Sequence, residues 1–180
     1  MKQPKHKNSP VIKSKNAAKT AALMGVLVAV AFVLSYVEMV LHFSVGIPGV
    51  KLGLCHIVTL FALYRIGPKA AVFTCFVRIF LNAWLFGNAM VLAYSAAGAI
   101  LSLAVMMILY RLPLFSPVGV SLAGGISHNI GQILCAAILM QTAGLVWYLP
   151  VLLVSGCLSG VTVGFISGWI MSRFEKRQIF

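Results

Sequence analysis

Aspartate is absent from this 180-residue chain, and its only acids are Glu38 and Glu175. Two carboxylates so far apart do not suggest the hard-oxygen cage that Mg²⁺ chemistry needs. A G-x-x-x-x-G-K-[ST] phosphate loop is also missing, so the chain is not expected to hydrolyse ATP by itself. Charge of both signs is scarce, at 9% of residues, against roughly 25% in a soluble domain. So little charge cannot cover a surface that faces water. The cysteines, Cys55, Cys75, Cys135 and Cys157, all lie in apolar stretches and form no C-x-x-C pair. They read as small packing residues, not as a disulfide or metal framework.

What is present is apolar: 61% of the chain is hydrophobic. Each helical crossing of a bilayer takes about 20 such residues. Continuous apolar runs, such as 21–34, do not fit the alternating segments of about ten residues found in membrane barrels. The expected fold is therefore all-α and polytopic. Six transmembrane helices are expected at residues 17–39, 50–64, 69–86, 89–110, 118–141 and 145–173. Turns fall at Gly46-Ile47-Pro48-Gly49, Gly67-Pro68, Gly87-Asn88 and between Pro113 and Pro117. Residues 17–173 form one membrane domain. The basic tails, 1–16 and 174–180, lie outside it, and the first is too polar to order itself. The first apolar run is long enough to span, and reads as an uncleaved helix, not a signal peptide.

The net charge of +12 would ordinarily suggest nucleic acid. Here the positive residues cluster instead in the tails and short loops. With both termini in the cytoplasm, Lys2, Lys5, Lys7, Lys13, Lys15, Lys19, Arg65, Lys69, Arg111, Arg173, Lys176 and Arg177 are all inside. Only Lys51 is then outside, and Arg78 falls within a span. That distribution obeys the positive-inside rule. The expectation is a multi-pass protein of the bacterial plasma membrane, with lipid as its solvent and no nucleic-acid partner.

Polar side chains within the apolar segments normally face protein or a water-filled cavity. In this topology most lie from mid-membrane outward: Glu38, Lys51, His56, Arg78, Asn82, Asn88, His128, Asn129 and Gln132. Arg78 and Asn82 share a helix face, as do His128 and Gln132. They predict an outward-open polar cavity between helices 1 to 5. It would hold a small, partly anionic or polar solute, with Arg78 as the main cation. Hydrogen bonding between helices would account equally well for any single Asn, Gln, His or Ser, and Glu38 could simply neutralise Arg78 or Lys51. Arg78 is harder to set aside, because an arginine at mid-membrane costs about 2.5–3.5 kcal/mol on insertion scales. His42, His56 and His128 match no metal-ligand spacing, and no metal or cofactor is expected.

Helix 1 also carries a row of small residues: Ala17, Ala18, Ala21, Ala22, Gly25 and Ala29. Such rows let helices approach closely, either within the chain or against a partner subunit. Gly156, Gly160, Gly164 and Gly168 repeat the pattern and read chiefly as internal packing.

Three segments carry a family resemblance: Ile47-Pro48-Gly49-Val50-Lys51-Leu52-Gly53-Leu54, Arg78-x-x-x-Asn82 leading to Leu85-Phe86-Gly87-Asn88, and Ser127-His128-Asn129-Ile130-Gly131-Gln132. On these the chain resembles the Gx transporter family, also labelled heptaprenyl diphosphate synthase component I, over residues 17–173. That family is similar in design to the substrate-binding S components of energy-coupling-factor (ECF) transporters. The resemblance implies a six-helix bundle that takes a small molecule from outside and docks a transmembrane coupling subunit with two cytoplasmic ATPases. The Ala-x-x-x-Ala docking motif of those proteins is matched by Ala17/Ala21 and Ala18/Ala22. Members also look associated with FMN-binding proteins, which admits a role in flavin-linked extracellular electron transfer. The synthase label would need an Asp-rich magnesium site, which this chain lacks, so no enzyme activity of its own is expected. A non-catalytic accessory role in isoprenoid or quinone metabolism stays open beside the importer subunit.

Overall fold

The computed structural model describes residues 10–40, 53–86 and 89–176. They form six α-helices: α1 Pro10–Val40, α2 Cys55–Arg65, α3 Pro68–Phe86, α4 Ala89–Tyr110, α5 Pro117–Leu139 and α6 Leu149–Lys176. A 3₁₀ segment, Ala143–Tyr148, leads into α6. Among the described residues there is no strand.

Helix boundaries follow local chemistry. Ser116 caps α5 by accepting the Gly119 N–H at 3.2 Å, and Pro117 follows it at the first helical position. Proline is tolerated there because that N–H has no helical partner anyway. The same property moves the start of α6. Pro150 fits only a first turn, so residues 145–148 coil as 3₁₀ and the α-helix begins at Leu149 instead of 145. Helix α5 stops at Leu139, short of the expected 141, and Gln141 takes a positive φ of 49°. Helix α1 starts at Pro10, ahead of the expected 17, although its apolar span begins at Ala18.

Among the described residues, five stretches are long and apolar enough to cross a membrane: Ala18–Glu38, Pro68–Leu85, Leu92–Tyr110, Pro117–Leu139 and Gly144–Arg173. The protein is a multi-pass helical membrane protein. Valines, leucines and phenylalanines such as Val26, Val33, Phe80, Leu158 and Phe165 face outward, as lipid requires. Trp84, Trp147 and Trp169 are exposed near helix ends, where indole rings sit at the headgroup level.

Helix α2 departs from the expected span at 50–64. Its 11 residues rise about 16 Å, roughly half of a hydrocarbon core of about 30 Å; residues 50–52 lie outside those described. Cys55 and residues 57–63 are all buried. A helix that is apolar all round belongs in an interior, and α2 packs against α1, α3 and α6.

Helices α3 to α6 pack in chain order, most closely at α4–α5 and α5–α6. Glycine makes those two seams. A Cβ on Gly131 would lie 2.9 Å from the Ala97 carbonyl oxygen on α4. On α6, a Cβ at Gly156 would lie 3.0 Å from the Gly125 carbonyl oxygen. At Gly160 it would lie 2.8 Å from the Leu122 Cα, and at Gly164 2.7 Å from the Val118 Cα. Gly168 meets nothing within 4 Å, so the fourth member of the row takes no part in the seam.

The two ends of the bundle differ. Arg65, at the end of α2, donates to the Met171 carbonyl near the end of α6. Tyr64 packs edge-on against Tyr110 at the end of α4, with ring centroids 4.9 Å apart. Lys69 shares a groove with Met107. Arg65, Lys69, Arg111 and Arg173 therefore gather at one end.

Replacing Gly160 with valine is expected to lower stability by about 1–3 kcal/mol, because its neighbours are backbone that cannot yield. Gly168→Val should stay near wild type. Thermal unfolding in detergent compares the two.

Candidate functional site

Arg78 sits in the middle of α3 and is only 8% exposed. A guanidinium offers five N–H donors in a fixed fork. Its Nη1 donates to the Ser35 hydroxyl on α1 at a long 3.4 Å, and its Nη2 to the Cys75 sulfur, one turn back on α3, at 3.9 Å. Nε has no hydrogen-bond partner among the described residues. Glu38, at the far end of α1, is the acid whose charge acts on Arg78. One oxygen of that carboxylate is already engaged, accepting the Gly53 N–H at 2.6 Å.

That last contact explains how α2 begins. Gly53 has a φ of +69°, which favours glycine, and Leu54 at the N-cap has no side chain able to accept a hydrogen bond. Helix N-termini carry unpaired N–H groups and partial positive charge. The α1 carboxylate supplies the acceptor and the opposite charge. Glu38 thus fastens α1 to the start of α2, a role beyond neutralising Arg78.

His56 follows in the first turn of α2. Its ring meets that of His128 on α5 edge-on, with centroids 4.9 Å apart, and both His128 and Arg78 act on it electrostatically. Gly98 on α4 completes the wall. A Cβ there would lie 2.7 Å from the Gln132 Cγ and 2.8 Å from the His128 carbonyl oxygen. The missing side chain makes room for the His128/Gln132 face of α5.

The structure therefore brings together Glu38, His56, Arg78, His128 and Gln132 from α1, α2, α3 and α5. Asn82 is half-buried one turn beyond Arg78. Asn129 stands apart: its amide donates to the Leu152 carbonyl at 2.6 Å and ties α5 to α6. Lys51 and Asn88 lie outside the described residues, as does His42. Among the described residues no group of three His, Cys, Asp or Glu could hold a metal ion.

Some members of the cluster were not singled out from the sequence. Ser35 and Cys75 accept from Arg78. Thr59 and Thr74 are buried, 1% and 0% exposed, and their hydroxyls lack partners among the described residues. Helical spacing carried the signal: Thr74 and Cys75 stand four and three residues before Arg78, and Ser35 stands three before Glu38.

The model of one protein family, described as heptaprenyl diphosphate synthase component I, matches residues 27–170. The chain belongs to that family. No curated protein and no solved structure matches it. The family match covers every element that builds the cluster.

Among the described residues, the small-residue row on α1 from Ala18 to Ala29 is not covered by the rest of the bundle. Ala18, Ala21, Ala22, Gly25 and Ala29 are exposed, and a Cβ on Gly25 would meet nothing within 4 Å. Ala17 belongs to the same helix.

Glu38→Ala is expected to lower stability by about 1–3 kcal/mol, because it removes a charge-assisted acceptor from Gly53. Glu38→Gln keeps an acceptor oxygen and should lose less. Urea or thermal unfolding of both variants checks the order.

Proposed function

We propose that this protein is the substrate-binding membrane subunit of a small-solute importer, similar to an ECF-type S component. One observation carries the reading: a buried guanidinium with weak or missing partners stands at the centre of a polar cluster drawn from α1, α2, α3 and α5. A purely structural arginine in an apolar bundle would satisfy its donors, since unmet buried donors are costly. Arg78, Thr59 and Thr74 form the floor of the site, with Asn82, His128 and Gln132 around them. Glu38 and His56 stand on its outer side.

Orientation follows from charge. The end holding Arg65, Lys69, Arg111 and Arg173 faces the cytoplasm of a bacterial cell, as positively charged ends do. The chain crosses the plasma membrane six times, with α2 as its second crossing, and both termini are cytoplasmic. The open row on α1 docks a transmembrane coupling subunit, and cytoplasmic ATPases supply the energy. The protein binds and hands on its solute without converting it.

A second reading is favoured by a different feature. A groove of about 510 Å³ between α3 and α4 is lined by Pro68, Val72, Phe73, Phe76, Val77 and Met107, with Lys69 at its edge. In a family described by a prenyl diphosphate synthase component, such a groove suits a prenyl chain. The protein would then be a non-catalytic accessory subunit of isoprenoid metabolism.

Arg78→Ala should remove a co-purifying small molecule, detected by mass spectrometry, while the amount of protein in the membrane stays at wild-type level. Retention of that molecule by the variant would sink the site. Gly25→Leu should leave thermal stability unchanged yet reduce recovery of a coupling subunit with its two ATPases at least several-fold. Recovery of a soluble prenyl synthase in their place would favour the accessory reading.

A further inference from the structure

Donors outnumber acceptors around Arg78. Of the five N–H groups of a guanidinium, one meets the Ser35 hydroxyl at 3.4 Å and one meets a sulfur, a weak acceptor, at 3.9 Å. Nε meets none among the described residues. Two buried hydroxyls also lack partners among the described residues, and each can donate. Thr74 precedes Arg78 by one turn on the same face of α3, and Thr59 stands one turn beyond Cys55 on the buried α2. Both are fully buried, and neither Oγ1 has a partner among the described residues. The nearby carboxylate, Glu38, has one oxygen committed to the Gly53 N–H.

Resting on the reading of this cluster as a solute site, we propose that the solute is an oxyanion: a small molecule whose carboxylate or phosphate group seats on Arg78, with Thr59 and Thr74 donating to the same group. A planar or tetrahedral oxyanion presents the paired acceptors that a guanidinium fork binds in bidentate fashion. A cation would be repelled by Arg78. A neutral, acceptor-poor solute would leave the same buried donors unmet on binding. Glu38 offsets part of the guanidinium charge, which keeps the site from holding its anion too tightly for release.

The test uses the full chain in lipid nanodiscs, with thermal unfolding followed by tryptophan fluorescence. Sodium benzoate, as a carboxylate probe, and inorganic phosphate are titrated at constant ionic strength against sodium chloride. At least one oxyanion should raise Tm saturably by a few degrees over chloride. Arg78→Gln should abolish the rise, and Thr74→Val should weaken the apparent affinity several-fold. If Arg78→Gln fails to fold, the Thr74→Val comparison decides. No rise above chloride in the wild type overturns the proposal, and so does an undiminished rise in both variants. Which probe acts separates carboxylate from phosphate. Recovery of the coupling subunit and ATPases reads the importer assignment separately. Their recovery without any oxyanion effect would discard the substrate class and leave the importer standing. An oxyanion effect without them would do the reverse.

Discussion

A guanidinium buried inside an apolar bundle constrains everything around it. Lipid cannot solvate Arg78, so the neighbouring helices must bring polar groups to it. The contacts show how sparingly they do so. A hydroxyl from α1, a thiol from its own helix and a carboxylate one step away surround the charge without saturating it. Natural proteins rarely leave buried donors unmet without a use for them.

The glycine seams make that arrangement possible. Close approach of α4, α5 and α6 is allowed because Gly131, Gly156, Gly160 and Gly164 place no side chain between backbones. The same close approach brings His128 and Gln132 against Gly98 and turns their face toward α2. Had α4 and α5 been held apart by larger residues, the His128 ring would lie beyond reach of His56. The short α2 serves the opposite purpose. Buried nearly all round, it fills the interior and carries Cys55 and His56 to the level of Arg78.

Much of this was legible in the sequence. Apolar runs of about 20 residues located the spans, and proline and glycine located the turns. The rarity of charge made Arg78 conspicuous, and helical spacing paired His128 with Gln132. Other features were not legible, for physical reasons. Asn129 follows His128 in the chain, but a rotation of about 100° per residue turns it toward α6, where the Leu152 carbonyl takes its amide. Which neighbour a side chain meets depends on the order of helices around the bundle, and composition does not encode that. Cysteine and threonine were hidden by their dual nature. In an apolar run they pass as small packing residues, although spacing four and three residues before Arg78 puts Thr74 and Cys75 on its face of α3. The start of α2 was hidden in the same way, because Gly53, with its positive φ, opens a turn inside a run that reads as continuous apolar helix.

Glu38 joins these levels. It acts on Arg78 and caps the amide that opens α2. Because one carboxylate serves both, the entry of α2 and the charge balance of the cluster are coupled. An oxyanion bound at Arg78, as proposed, would compete with Glu38 for the same positive charge. Weakening that attraction leaves the carboxylate more fully to Gly53, or frees it to move with the start of α2. On the proposed oxyanion reading, the α1–α2 junction is the element whose position the ligand would bias. Its other neighbour along α1 is the exposed small-residue row, so on the same reading a solute bound at Arg78 would be sensed on the helix face that a coupling subunit would meet.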